Sequence, residues 1–178
     1  MRKRRRTKLV LLCDVSGSMD LYSRFLLQLV FALQRAFARV ESFAFSTSLH
    51  RITPQLERGT YREALDRLAR EVPGWSGGTR IGESVAAFAA GWPRLVDRRT
   101  VLVILSDGWD TGEPAVLADA LAALRRRAGR VVWLNPLLGS PGYEPLTRGM
   151  QAALPHVDVF APVHNLESLE RLVGHLSL

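Results

Sequence analysis

The chain has 178 residues, of which 47% are hydrophobic and 23% charged, so it fits one folded globular domain and is neither disordered nor of low complexity. Its single cysteine, Cys13, excludes an intramolecular disulfide and a zinc site built from several cysteines. The most apolar stretch, 21–37, is interrupted by polar and charged residues, and the apolar run 9–13 is too short for a signal peptide. We therefore expect a cytoplasmic protein with no membrane span.

The net charge of +7 is concentrated at the start of the chain. Six of the 24 basic residues lie there, and the other 18 nearly balance the 17 acidic residues; the six are Arg2, Lys3, Arg4, Arg5, Arg6 and Lys8. We interpret 1–8 as a basic tail or linker and 9–178 as one domain. Nucleic-acid binding through this tail is the weakest functional hypothesis, because the body of the chain is almost neutral.

Short apolar runs alternate with longer amphipathic segments, a pattern typical of βα units around a mostly parallel sheet. In chain order, we predict a strand at 8–13, a helix at 21–39, a strand pair at 41–46 and 50–53, helices at 60–70 and 80–91, a strand at 100–105, a helix at 113–127, a strand at 130–134, a helix at 145–154, a strand at 157–161 and a helix at 165–176. The strand at 50–53 should lie at an edge, because Pro54 cannot donate to a ladder. The fold class is therefore α/β: a Rossmann-like open sheet of about six mostly parallel strands, with one antiparallel edge strand and helices on both faces.

Oxygen-bearing side chains follow several of these strands. Asp14, Ser16 and Ser18 come directly after the first strand, Thr79 follows Gly77-Gly78, and Asp107 follows the central strand. Loops at the carboxyl ends of parallel strands meet at one crevice, so we expect these five side chains to lie together. Two carboxylates and three hydroxyls form a hard, all-oxygen set of the kind that Mg²⁺ prefers, and Mn²⁺ is an alternative. The simpler interpretation is that these residues cap helices and shape turns.

Three further residues accompany this set. Asp110 is a competitor of Asp107 and a second choice as an outer-shell group of the metal. Trp75 falls in the loop that contains Thr79, and Trp109 falls in the loop that contains Asp107. At either position an exposed aromatic side chain would anchor a partner and a buried one would pack the loop.

The D-x-S-x-S pattern at Asp14, Ser16 and Ser18, with Thr79 and Asp107 on later loops, resembles the metal-ion-dependent adhesion site of von Willebrand factor A (VWA) domains. Within that family, segments 9–19, 133–136 and 155–169 look like the CoxE-like bacterial proteins. The resemblance implies a metal-dependent protein-binding domain with no catalytic residues, whose partner supplies a carboxylate to the ion. It further implies an adaptor that works with a MoxR-type AAA+ ATPase in the maturation of a client metalloenzyme such as carbon monoxide dehydrogenase.

A metal-dependent hydrolase or phosphatase is the alternative function, because an aspartate after the first strand also begins phosphoryl-transfer sites. A phosphatase of the haloacid dehalogenase type would need a second aspartate where Ser16 stands, to serve as general acid and base. The sequence also has no G-x-S-x-G elbow, no P-loop and no G-x-G-x-x-G fingerprint. These observations favour binding over catalysis.

Overall fold

The computed structural model describes residues 7–72, 78–163 and 176, except for the side chain of Ser23. A single six-stranded sheet runs through these residues in the order β3-β2-β1-β4-β5-β6. All neighbouring strands are parallel except β2 and β3, which are antiparallel. The strands are β1 (Lys8–Asp14), β2 (Val40–Phe45), β3 (Leu49–Arg51), β4 (Thr100–Leu105), β5 (Arg130–Asn135) and β6 (Val159–Pro162). The predicted α/β architecture is confirmed, including the antiparallel strand at one edge.

Helices cover both faces of the sheet. They are α1 (Asp20–Ala36), α2 (Thr53–Leu56), α3 (Tyr61–Glu71), α4 (Ile81–Gly91), α5 (Pro114–Arg127) and α6 (Arg148–Ala153). Short 3-10 turns lie at Gly17–Met19, Pro93–Leu95 and Leu154–His156. No helix within the described ranges is long and apolar enough to cross a membrane.

The core has two layers because side chains alternate across each strand. On β1, Leu9, Leu11 and Cys13 point into the layer that also receives buried residues of α1, α2 and α3. Val10 and Leu12 point into the layer formed with α4, α5 and α6. The central strands β1 and β4 are therefore buried on both sides, which explains their almost continuous apolar sequences.

Several predicted boundaries are wrong, each for a local reason. The first helix ends at Ala36 rather than 39, because Phe37 adopts an extended backbone and packs into the core. The edge strand ends at Arg51 rather than 53, because Thr53 begins α2 with Pro54 in its first turn, where a missing N–H costs little.

The bounds of the last described helix and of the last strand also differ from the prediction. The helix predicted from 145 begins at Arg148, because the hydroxyl of Thr147 caps it by accepting a hydrogen bond from the backbone N–H of Met150 at 3.2 Å. The last strand is shifted to Val159–Pro162, since the carboxylate of Asp158 accepts a hydrogen bond from the N–H of Val131 just before the strand begins. The predicted helix at 165–176 falls almost entirely outside the described residues.

Candidate metal centre

The topological switch point of the sheet lies between β1 and β4. From β1 the chain adds β2 and β3 on one side, and β4 to β6 follow on the other. Cys13 of β1 pairs with Leu105 of β4, so the loops that leave these two strands start side by side. Ligands of open α/β sheets bind at such a point, outside the carboxyl ends of the strands. We call the end of the sheet at which the parallel strands finish the carboxyl edge, and the end at which they begin the amino edge. These two names refer to strand ends and not to the outermost strands β3 and β6.

The first loop is a compact turn built around Asp14. One carboxylate oxygen, Oδ1, accepts a hydrogen bond from the N–H of Ser16 at 2.9 Å. A 3-10 turn follows, and the hydroxyls of Ser16 and Ser18 lie 3.1 Å apart and share a hydrogen bond. Asp14 and Ser16 are fully buried and Ser18 is exposed, so the three side chains lead from the interior to the surface.

The third loop, 106–112, is bonded directly to the first. The hydroxyl of Ser106 donates to Oδ2 of Asp14 at 2.6 Å and accepts from the N–H of Gly108 at 3.0 Å. Gly108 has a φ of +78°, which glycine adopts without strain. This turn places Asp107 near Asp14 of the first loop. Its Oδ1 accepts a hydrogen bond from the N–H of Trp109 at 3.0 Å. Asp107 is 4% exposed.

The second loop, which contains Thr79 and precedes α4, is hydrogen-bonded to the third loop through its backbone. The carbonyl of Thr79 accepts hydrogen bonds from the N–H of Thr111 at 2.9 Å and from its hydroxyl at 2.7 Å. The side chain of Thr79 is buried, and the residue at the N-cap of α4 is Arg80, which makes no side-chain cap. The simpler interpretation of Thr79 as the helix cap is therefore wrong.

Asp110 fills the capping role instead. Its Oδ1 accepts from the N–H of Ile81 at 3.0 Å, and its Oδ2 accepts from the N–H of Gly82 at 3.4 Å. A carboxylate at this position satisfies free N–H groups and complements the helix dipole. The side chain of Trp109 is 61% exposed, whereas Trp75 lies outside the described residues. The structure thus places Asp110 at the N-terminus of α4 and Trp109 on the surface.

Three buried residues outside the predicted ligand set support the third loop. Ser106 bonds to Asp14, as described above, and the indole N–H of Trp133 donates to the carbonyl of Ser106 at 3.0 Å. The amide of Asn135 donates to the carbonyl of Asp107 at 3.3 Å and to the hydroxyl of Tyr143 at 2.8 Å. The available signal was a polar residue at the end of each buried strand, Ser106 after β4 and Asn135 in β5.

Burial dominates the electrostatics of the site. It raises the pKa of Asp14 from 3.8 to about 6, against the hydrogen bonds from Ser106 and Ser16, and the negative charge of Asp107 adds to the rise. Burial likewise raises the pKa of the Tyr143 hydroxyl, with a further contribution from Asp107. Among the described residues, no basic side chain contributes to the pKa shift at Asp14. Two carboxylates are therefore held close together and inside the protein, an arrangement that a bound cation would relieve.

The donor set fits a hard divalent ion. It combines two carboxylates with hydroxyls, and Mg²⁺ takes one or two carboxylates and completes its shell with other oxygens. Within the described part of the chain, no cluster of three or more His, Cys, Asp or Glu side chains could hold a metal. Binding at this edge would therefore depend on the hydroxyl groups.

The comparisons with known proteins place this fold. The family model described as "VWA domain containing CoxE-like protein" matches residues 1–169. BatB from Bacteroides thetaiotaomicron superimposes with a TM-score of 0.61 at 16% identity, covering 95% of this chain and 96% of its own. No curated protein sequence matches the chain.

Two similar structures contain metal. Proximal thread matrix protein 1 from the mussel byssus, solved with a zinc-occupied MIDAS motif, has a TM-score of 0.62 at 15% identity over 97% of this chain. Manganese-loaded TRAP protein from Plasmodium vivax has a TM-score of 0.58 at 13% identity over 98% of this chain. This chain spans 47% of the mussel protein and 74% of TRAP, and at these identities the likeness concerns the fold.

The family match covers nearly the whole chain, and the sheet order and the position of the loops agree with it. The chain therefore belongs to the family of VWA domain containing CoxE-like proteins.

Proposed function

We propose that this chain is a protein-binding domain that contacts its partner through a divalent ion, Mg²⁺ with Mn²⁺ as the alternative. The ligands are Asp14, Ser16, Ser18, Thr79 and Asp107. The observation that carries the proposal is the hydrogen bonding of three loops at the switch point, through Ser106 to Asp14 and through Thr111 to Thr79. Each of these loops bears at least one of the proposed ligands.

The ion would supply positive charge between the two buried carboxylates and a coordination position for a carboxylate of the partner. The residues of this chain prepare that position. Ser106 orients the carboxylate of Asp14, and Asn135 holds the backbone carbonyl of Asp107. None of these contacts requires a bond in the partner to be broken, so we propose binding without turnover.

The site offers little to a phosphatase mechanism. A haloacid dehalogenase type of enzyme would need a proton-transferring carboxylate where Ser16 stands, and the Ser16 hydroxyl is instead fully buried and bonded to that of Ser18. Family membership supports the finer part of the proposal, an adaptor that acts with a MoxR-type AAA+ ATPase in the maturation of a metalloenzyme such as carbon monoxide dehydrogenase.

Metal binding is tested with Asp107→Asn and a matched control, Asp110→Asn, three residues away in the same loop. Electron paramagnetic resonance titration measures free Mn²⁺, and competition by Mg²⁺ gives the affinity for the second ion. Loss of a direct carboxylate ligand should weaken Mn²⁺ binding by at least about tenfold, equivalent to about 1.4 kcal/mol. Asp110→Asn should lower thermal stability through the weaker helix cap and leave the affinity within a few-fold of wild type.

Equal Mn²⁺ affinity of wild type and Asp107→Asn would contradict the proposed ligand set. The partner is tested by capture from a native extract on the immobilised chain, in Mg²⁺ and in excess chelator. Recovery of an AAA+ ATPase only with the metal would support the adaptor role. Recovery of the same ATPase in chelator would show that the contact does not pass through the ion.

A further inference from the structure

The exposed apolar side chains are concentrated around the candidate metal centre. In the described part of the chain, four large hydrophobic side chains are exposed: Leu21 at 90%, Leu146 at 64%, Trp109 at 61% and Val116 at 36%. Leu21 and Val116 lie in the first turns of α1 and α5, Trp109 lies in the third loop, and Leu146 lies in the segment after β5. All four therefore belong to segments at the carboxyl edge.

The chain segments that carry Trp109 and Leu146 are joined by a hydrogen bond. The hydroxyl of Thr147 donates to the carbonyl of Gly108 at 3.1 Å, so each of the two apolar residues lies one residue from a bonded pair. Gly149 also lies directly against the carbonyl of Gly108, where a Cβ would overlap that oxygen. We call Trp109 and Leu146 the apolar pair. The N–H of Trp109 bonds to the carboxylate of Asp107, so the pair begins beside a proposed metal ligand.

An isolated exposed leucine is ordinary on a protein surface. The arrangement here differs because all four lie in loops or first helical turns at the carboxyl edge, and none of the described residues at the amino edge is among them. Tryptophan is enriched among residues that dominate binding energy, and an exposed one beside a binding site is a natural anchor. The position of the apolar pair, next to buried carboxylates, indicates a contact that combines charge with apolar burial.

We infer that the partner segment bears an aspartate or glutamate flanked by a large apolar side chain, which packs on Trp109 and Leu146 while the carboxylate reaches the ion. This inference rests on the proposed function and adds the chemistry of the partner. A purely apolar occupant, such as a lipid surface, would leave the two carboxylates of the centre without a role.

Phage-displayed random twelve-residue peptides are selected on the immobilised full chain in Mg²⁺ and eluted with chelator. Parallel selections use Trp109→Ala, Leu146→Ser and the control Arg98→Ala, an exposed residue at the amino edge. Wild type should enrich peptides with Asp or Glu and a Leu, Phe or Trp within two positions of it. One enriched peptide is then synthesised. Trp109→Ala or Leu146→Ser should weaken its binding by about tenfold or more, and Arg98→Ala by less than about twofold.

The Mn²⁺ affinity and the circular dichroism of each variant are measured separately, so a lost ion or a lost fold is distinguishable from a lost contact. Acidic peptides without a neighbouring apolar residue would overturn the inference and leave the proposed function standing. If the chelator released no enriched peptide from the wild-type chain, both the inference and the proposed function would be overturned. Mg²⁺-dependent self-association in sedimentation, abolished by Leu146→Ser, would assign the surface to a second copy and also overturn the inference.

Discussion

The two edges of the sheet distribute polar and apolar side chains in opposite ways. At the carboxyl edge both buried carboxylates, Asp14 and Asp107, lie inside the protein, while Trp109 and Leu146 face solvent. At the amino edge, charges form partly exposed pairs, such as Lys8 with Asp97 and Arg125 with Asp158. The buried polar residues near that edge in the described part of the chain, such as Thr7 and Thr100, are uncharged.

The amino edge follows the usual preference of charge for water, and the carboxyl edge inverts it. Burying a carboxylate away from any basic partner costs stability. Exposing a tryptophan loses the free energy that burial of its apolar surface would contribute. The difference between the edges therefore supports the proposal that the carboxyl edge is the binding surface.

The largest expected effect comes from distorting the loop that makes the carboxyl edge distinctive. Gly149→Ala would place a Cβ against the backbone carbonyl of Gly108, which cannot move without shifting the third loop. We expect a loss of about 1–3 kcal/mol in the free energy of unfolding, as for other overpacked sites, together with weaker Mn²⁺ binding. Urea denaturation and Mn²⁺ titration measure the two effects.

Gly91→Ala is the matched control for that substitution. Gly91 is also helical, at the end of α4, and a Cβ there meets nothing within 4 Å. The control should be neutral or stabilising by up to about 1 kcal/mol. Similar stability changes in the two variants would mean that the third loop is not held by this close contact.

A change of opposite sign is expected from Asp14→Asn in excess chelator. The folded-state pKa of about 6 lies above the ordinary 3.8, so the folded chain binds the proton more tightly and wild-type stability falls as pH rises from about 4 to 6. A rise of this size corresponds to about 3 kcal/mol, so the metal-free variant should be more stable than wild type at pH 7 by about 1–3 kcal/mol.

Thermal unfolding at pH 4 and pH 7 tests this expectation, since the gain should shrink at the lower pH. The same variant should lose the stabilisation that Mn²⁺ gives to wild type. A metal-free Asp14→Asn chain less stable than wild type at pH 7 would show that the carboxylate is not strained by its burial.

The smallest effect is expected at the amino edge. Lys8→Met removes the ion pair with Asp97, whose pKa is lowered mainly by the hydrogen bond from Lys8. Since the pair is partly exposed, the loss of stability should stay below about 1 kcal/mol and shrink further at high salt. Mn²⁺ affinity should be unchanged, and a weaker affinity would show that the two edges are coupled through β1.

Much of the fold could be predicted from the sequence, because apolar periodicity reports which faces are buried. The runs at β1 and β4 are apolar at nearly every position, and only strands buried on both faces need this. Boundaries were harder to predict, because they depend on single hydrogen bonds and backbone angles. Phe37 ends α1 by turning extended into the core, and the hydroxyl of Thr147 sets the start of α6.

The candidate site likewise has some features that the sequence predicts and others that only the structure shows. The sequence by itself determined the donor chemistry, with carboxylates and hydroxyls placed directly after β1 and β4, because local order along the chain fixes which residues follow a strand. Only the tertiary structure decided that Ser106 bonds to Asp14, that Asp110 caps α4 and that Thr147 bonds to Gly108. These contacts join residues tens of positions apart, and the packing of loops at the switch point, rather than any local preference, selects them.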